Sequence, residues 1–223
     1  MEKFIYYFFN WELISPHLPA SLGGFWVTLK MAVLTVVFGT TLGLALAVLR
    51  AYGWRPVNVC MMLFVDVFRA LPQLVIIVLA FFALPSFGIV IDPLPATVLG
   101  LSLVLAAFSE EIFWSGIGAV PRGQWEAGRS SGMGFTQTLF HIILPQAVRI
   151  SIPPLTNRAI GITKGTTLGS VIAVPELLNV SSNVQSTIAN PTALTAGALL
   201  FCLIFFPFVH FTRTLEKRFA IKK

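Results

Sequence analysis

Charge is what this sequence lacks most. Asp, Glu, Lys and Arg make up only 11% of its 223 residues, about half the share found in an ordinary soluble domain. So few charged side chains could not cover the surface of a globule, which excludes most soluble folds. Cysteine is nearly missing as well. Cys60 and Cys202 lie in apolar runs with no His or Cys nearby, leaving neither a disulfide framework nor a metal-site spacing; both are expected to pack. No Gly-rich loop ending in Gly-Lys-Ser or Gly-Lys-Thr occurs, so nothing in the chain is built to cradle and hydrolyse ATP. No internal repeat stands out. The opening MEKFIYYFFNWELISPHLP has one Lys beside Glu2 and no small-residue cleavage site. It is expected to lie at a membrane interface through Tyr6, Tyr7, Phe8, Phe9 and Trp11 rather than to act as a signal peptide.

What is present is apolar. Hydrophobic residues account for 56% of the chain, and the mean hydropathy is +0.85. An all-α integral membrane protein is expected, folded as a single transmembrane domain over residues 1–223. A span needs about 20 apolar residues. Five are expected, at about residues 24–49, 57–84, 96–120, 145–174 and 193–212. The second is interrupted by DVFRALPQ, and the fourth by Pro153, Pro154, Arg158 and Lys164.

The charges that remain are unevenly placed. Arg50 and Arg55 follow the first span, Arg122 and Arg129 follow the third, and Arg213, Lys217, Arg218, Lys222 and Lys223 close the chain. PSFGIVIDPLP and PELLNVSSNVQSTIANP hold no Lys or Arg. Positive loops stay in the cytoplasm, so the N-terminus is expected outside and the C-terminus inside. The net charge of +6 then reflects membrane orientation and lipid contact rather than nucleic-acid binding.

One stretch breaks the apolar pattern on the expected cytoplasmic side: EAGRSSGMGFTQTLFHIILP, residues 126–145. Glu126 suits a helix N-terminus. Ala127, Gly128, Ser130, Ser131 and Gly132 make small faces that let another surface approach, and Gly132 and Gly134 can end the helix or turn the chain. A second short helix, 136–143, would lead back to the membrane at Pro145. The spacing of Glu126-Ala127-Gly128, Gly132 and Ile142-Ile143-Leu144-Pro145 resembles the EAA loop of ABC importer permeases. Further stretches resemble the polar amino acid uptake branch of that family: SLGGFWVTLKMAVLTVVFGTTLG, VDVFRALPQL, GAVPRGQWEAG and KGTTLGSVIAVPEL.

The resemblance covers about residues 20–215. It implies a permease subunit of about five helices, with a coupling helix inside a cytoplasmic loop at about 121–145. Glu126, Ala127, Gly128, Gly132, Leu144 and Pro145 would form the contact with an ATPase. The implied partners are cytoplasmic ATPase subunits, which hold the ATP and magnesium, an extracytoplasmic solute-binding protein, and a second permease subunit, identical or not. The implied setting is multi-pass in the bacterial inner membrane, with no cofactor or metal in this chain. Gly128 departs from the pattern, where Ala is usual at the third position.

Ionisable groups at membrane depth are expensive and ask for a function. Glu111 matches the glutamate of the family's third span, whereas Glu110 stands where a small residue is usual and Trp114 where Arg is frequent. Glu110 either favours a cationic solute or pairs with a base such as Arg158, Lys164 or an Arg of a second subunit. Glu110, Glu111, Lys164, Thr166 and Thr167 are expected along the solute pathway, with a helix junction as the alternative role of the last three. Asp66 and Arg69, three apart, are expected to pair on one helix face. An ion-coupled secondary transporter relaying through Glu110, Glu111 and Lys164 is the alternative function, and a non-transporting membrane scaffold the other.

Overall fold

The computed structural model describes residues 1–219; Lys222 and Lys223 of the basic tail lie outside the described residues. Helices account for nearly all of it, and no strand occurs among the described residues. This is what backbone in lipid demands, because a helix satisfies its own N–H and C=O groups. In order they are α1 (Glu2–Phe8), α2 (Trp11–Ile14), α3 (Leu18–Ala51), α4 (Arg55–Ala70), α5 (Gln73–Phe82), α6 (Pro93–Ala119), α7 (Arg122–Ser130), α8 (Phe135–Thr138), α9 (Leu144–Thr163), α10 (Leu177–Ile188) and α11 (Thr192–Phe219).

Three helical runs are long and apolar enough to cross a membrane: Glu2–Ala51, Pro93–Ala119 and Thr192–Thr214. The interruption expected in the second span is real. α4 and α5 meet at an angle of 106° and make a fourth crossing if taken as one span. Pro72 has no N–H for the helical ladder and biases Leu71 towards extended backbone; Leu71 has ψ 138° and Pro72 ψ 137°. α9, expected as part of a span, has helical length but is not among the helices apolar enough to cross by composition.

The described chain divides into two compact units. One comprises Met1–Val36, Pro72–Ser102 and Ile160–Val209. Its N-terminal segment is strapped down by polar contacts to backbone. Asn190 Nδ2 donates to the Tyr6 carbonyl at 3.3 Å, Thr192 Oγ1 to the Tyr7 carbonyl at 3.1 Å, and the Asn10 N–H to Thr192 Oγ1 at 3.3 Å. Tyr6, Tyr7 and Trp11 keep their rings exposed, as an interfacial segment would. Within the same unit, Thr28 Oγ1 accepts from the Leu177 N–H at 3.0 Å, closing the start of α10 onto α3.

The other unit comprises Val37–Leu71, Leu103–Ala159 and the described residues from His210. Small residues let its helices touch. A Cβ on Gly43 would lie 2.4 Å from Ser109 Cβ, and one on Gly116 2.3 Å from Ser151 Oγ. Only hydrogen fits at these crossings, a device membrane helices use in place of a hydrophobic drive. Cys60 and Cys202 are free and exposed rather than packed inside; the apolar face each occupies points outward.

Candidate functional site

The polar stretch forms a folded hook in the second unit. α7 ends in a Schellman motif: the Met133 N–H donates to the Gly128 carbonyl at 3.1 Å and the Gly132 N–H to the Arg129 carbonyl at 3.0 Å. That motif needs a left-handed residue after the cap, and Gly132 supplies it with φ +83°. A Cβ there would meet nothing within 4 Å, so Gly132 is required by its backbone conformation and not by close packing.

The chain then re-enters a helix at α8, where Gln137 Oε1 accepts from the Gly134 N–H at 3.0 Å, half of a capping box. A π turn over Leu139–Ile143 joins α8 to α9, with the Leu144 N–H reaching the Leu139 carbonyl. Its position has a reason. In a regular helix the ring of Pro145 would press on the carbonyl four residues earlier, and the wider turn just before it relieves that crowding.

Gly128 is the buried pivot of the hook. A Cβ at this position would sit 2.7 Å from Thr138 Cγ2 and 3.0 Å from Ile142 Cδ1. The departure from alanine is therefore a close approach of α7 to the turn that carries it. Behind the hook lies an apolar core of Ile117, Val120, Leu139, Ile143 and Ala147. Phe135 stacks on Trp125 at 5.3 Å and meets the Tyr52 ring at 5.4 Å, contacts worth about 0.5–1.5 kcal/mol each beyond area burial. Glu126, Ala127 and Arg129 face outward on the other side. Of the remaining expected contact residues, Leu144 is half-buried and Pro145 exposed.

Above the hook on α6, two carboxylates diverge. Glu110 is fully buried, and its carboxylate receives Arg50 Nη1 at 2.9 and 3.2 Å. The Arg50 guanidinium also lies 4.7 Å over the Trp114 ring. Glu110 is therefore paired, but with none of the expected partners Arg158 and Lys164. Arg50 is the last-turn residue of α3 rather than a loop residue, and it turns inward to a site 60 residues away. The two departures from the family pattern, Glu110 and Trp114, close on one arginine.

Glu111, about 100° around the helix, pairs instead with Arg69. The expected Asp66–Arg69 pair is absent from the two ion pairs among the described residues. Arg69 at the end of α4 reaches the neighbouring helix, where Glu111 is within range. Arg69 also lies 5.2 Å over the Phe108 ring, and Arg158 of α9 lies 3.9 Å over the same ring. Glu111 lines a cavity of about 380 Å³ between α6 and α9, with Ser115, Gly116, Ile150 and Pro154 on its walls.

Lys164, Thr166 and Thr167 belong to the first unit. They open a 3₁₀ stretch, Lys164–Ile172, long for that geometry. Lys164 is exposed, Thr167 Oγ1 donates to its carbonyl at 3.0 Å, and Thr166 is buried with an unpartnered hydroxyl. Thr166 thus combines full burial with an unmet hydrogen bond, a costly state at an unwound helix.

Apolar helices, a packed polar hook and ion pairs set inside helical walls define a multi-helix membrane protein. Residues 18–221 match the family described as binding-protein-dependent transport system inner membrane component, and the chain belongs to that family. It is 40% identical to the L-cystine transport system permease protein TcyB of Bacillus subtilis (strain 168), over 75% of this chain and 72% of the relative. It is 36% identical to the probable glutamine ABC transporter permease protein GlnP of the same organism, over 91% and 92%. A chain from a crystal structure of an amino acid ABC transporter with histidines superposes with TM-score 0.83 and 28% identity, covering 94% of this chain and 98% of that one. The MetNI methionine ABC transporter, in an inward-facing form, shares the fold at TM-score 0.66 and 22% identity, covering 90% and 98%. The family is described as an inner membrane component, and these relatives carry the names of transport permeases.

Proposed function

We propose that this chain is the transmembrane subunit of a bacterial inner-membrane importer, with its N-terminus outside and its C-terminus in the cytoplasm. A solute-binding protein delivers an amino acid to the outer face, and two permease subunits pass it inward by alternating access. ATP and magnesium act on separate cytoplasmic ATPase subunits. α9 serves as the fifth crossing, beside the three long apolar runs and the bent α4–α5 pair.

The observation that carries this reading is the hook at residues 122–145. Its inner side is locked to the ends of α3 and α6 by Tyr52, Trp125, Ile117 and Val120, while Glu126, Ala127 and Arg129 are left exposed. An element rigid on one side and unpartnered on the other can transmit a displacement, since packed interfaces switch between arrangements rather than yielding gradually. Ile150 and Ser151 on α9 and Glu111 on α6 line the cavity, which supports a solute path beside helices that the hook would move. Glu110 supports that wall through Arg50 instead of meeting the solute; in the first unit, Lys164, Thr166 and Thr167 form an unwound segment suited to solute contact.

Reconstitution with the cognate ATPase and binding protein tests the reading. Uptake should require ATP and the binding protein. In Gly132→Val, strain in the turn should leave ATP hydrolysis running while uptake per ATP falls at least severalfold. Gradient-driven uptake without any ATPase would sink the proposal.

A further inference from the structure

Three ionisable groups gather where α6 faces α4 and α9: Arg69, Glu111 and Arg158. Arg69 and Glu111 neutralise each other. Arg158 is exposed, stands 3.9 Å over the Phe108 ring, and has no carboxylate partner among the described residues. Phe108 is one turn before Glu111 and Ile112 on α6, and Arg158 is one turn after Pro154 on α9. Glu111, Ile112 and Pro154 line the cavity. Residues four apart share a helix face, so the stacked arginine stands one turn beyond the residues that line that cavity, with its fork not engaged by an acid.

The same walls supply acceptors. Pro154 has no N–H to donate to the Ile150 carbonyl, and both residues line the cavity together with Glu111. A cavity of about 380 Å³ lies in the range of small-molecule sites.

We propose that Arg158 is the carboxylate receptor of the solute pathway, and that this pathway admits zwitterionic and acidic amino acids in preference to dibasic ones. The ring of Phe108 holds the guanidinium flat, which costs little because arginine stacks well on aromatics. The two nitrogens of the fork then meet the two carboxylate oxygens, a bidentate pair stronger than a neutral hydrogen bond. The ammonium of the solute takes Glu111 and the freed Ile150 carbonyl. The cluster carries a net charge of +1 before the solute arrives, so a second cation is repelled and an extra carboxylate is welcomed.

This inference rests on the importer reading, and its test is separable from that reading. The full-length chain in lipid nanodiscs, without ATPase or binding protein, is titrated with L-cystine, L-glutamine, L-glutamate, L-arginine and cystamine, the decarboxylated form of cystine. The tightest of cystine, glutamine and glutamate should exceed arginine and cystamine by about tenfold or more. Arg158→Gln should weaken that tightest ligand about tenfold and flatten the ranking; Arg158→Lys should restore part of it, keeping the charge without the fork. The comparisons on the unaltered chain need no substitution, so misfolding of a variant does not protect the idea. Arginine or cystamine binding as tightly as the best of the others overturns it. So does an Arg158→Gln chain that is folded and keeps every affinity, or the absence of any binding at millimolar concentration. ATP-dependent uptake by the assembled transporter tests the importer reading by itself and can succeed while this proposal fails.

Discussion

Two carboxylates adjacent on α6 live in different media. Glu110 is 0% exposed and grips an arginine whose side chain is 18% exposed, under the Trp114 ring. The side chains of Glu111 and Arg69 are 44% and 35% exposed, and they border a cavity. A single residue step turns the side chain about 100°, from the packed side of α6 to its open side. The lesson is that an acid at membrane depth has no role of its own. The medium on its face decides whether it is held inside the fold or stays accessible.

The largest expected contrast is in stability. Arg50→Ala strands a buried carboxylate and should cost about 3–5 kcal/mol, whereas Arg69→Ala breaks a solvated pair and should cost about 0–1 kcal/mol. Thermal unfolding in one detergent compares them directly, and equal losses would break the distinction. Replacing both Arg50 and Glu110 with Met should recover most of the loss, because a buried pair gains little over well-packed apolar side chains.

A second contrast is in transport. Glu111→Gln should leave the melting midpoint nearly unchanged but reduce uptake severalfold or shift the solute profile. Glu110→Gln should lower the midpoint and spare the profile of the molecules that remain folded. A Glu111→Gln transporter with normal rate and selectivity would make both carboxylates structural.

Smaller again is the aromatic cover. Trp114→Leu removes the ring over Arg50 and should cost about 0.5–2 kcal/mol, while Phe108→Leu, on the open side, should alter affinity more than stability. The smallest net change is expected below the pair, at the hook. Gly128→Ala improves helix propensity by about 1 kcal/mol but meets Thr138 Cγ2, so the two effects nearly cancel. Adding Thr138→Ala removes both that methyl and the hydroxyl 2.9 Å away and should make the Gly128→Ala change less costly; a double variant in which Gly128→Ala costs as much as it does alone would mean that Thr138 is not what excludes the alanine.

Much of this was readable in advance. Long apolar runs specify helices in lipid, so the all-α class follows from composition, and the Pro72 break was visible because proline cannot join the ladder. The hook was legible too: Gly132 and the closing Ile-Leu-Pro have local requirements, a left-handed turn and a stop in the regular helix. Short-range chemistry of this kind leaves a short-range pattern.

The partners of the charges left none. Asp66 and Arg69 are three apart and complementary, yet Arg69 pairs with Glu111, 42 positions along. Arg50, placed by composition in a basic loop, turns inward to Glu110, and Arg158 settles on Phe108. Only the joint oddity of Glu110 and Trp114 hinted at a shared partner.

By itself, then, the sequence determined that the chain enters a membrane as helices, where it bends, and that one polar segment folds as a hook. Those outcomes depend on backbone hydrogen bonding and local residue pattern. Which acid is buried and which arginine answers it was decided by tertiary structure, because long side chains choose partners by distance across packed helices, and that distance is not written along the chain.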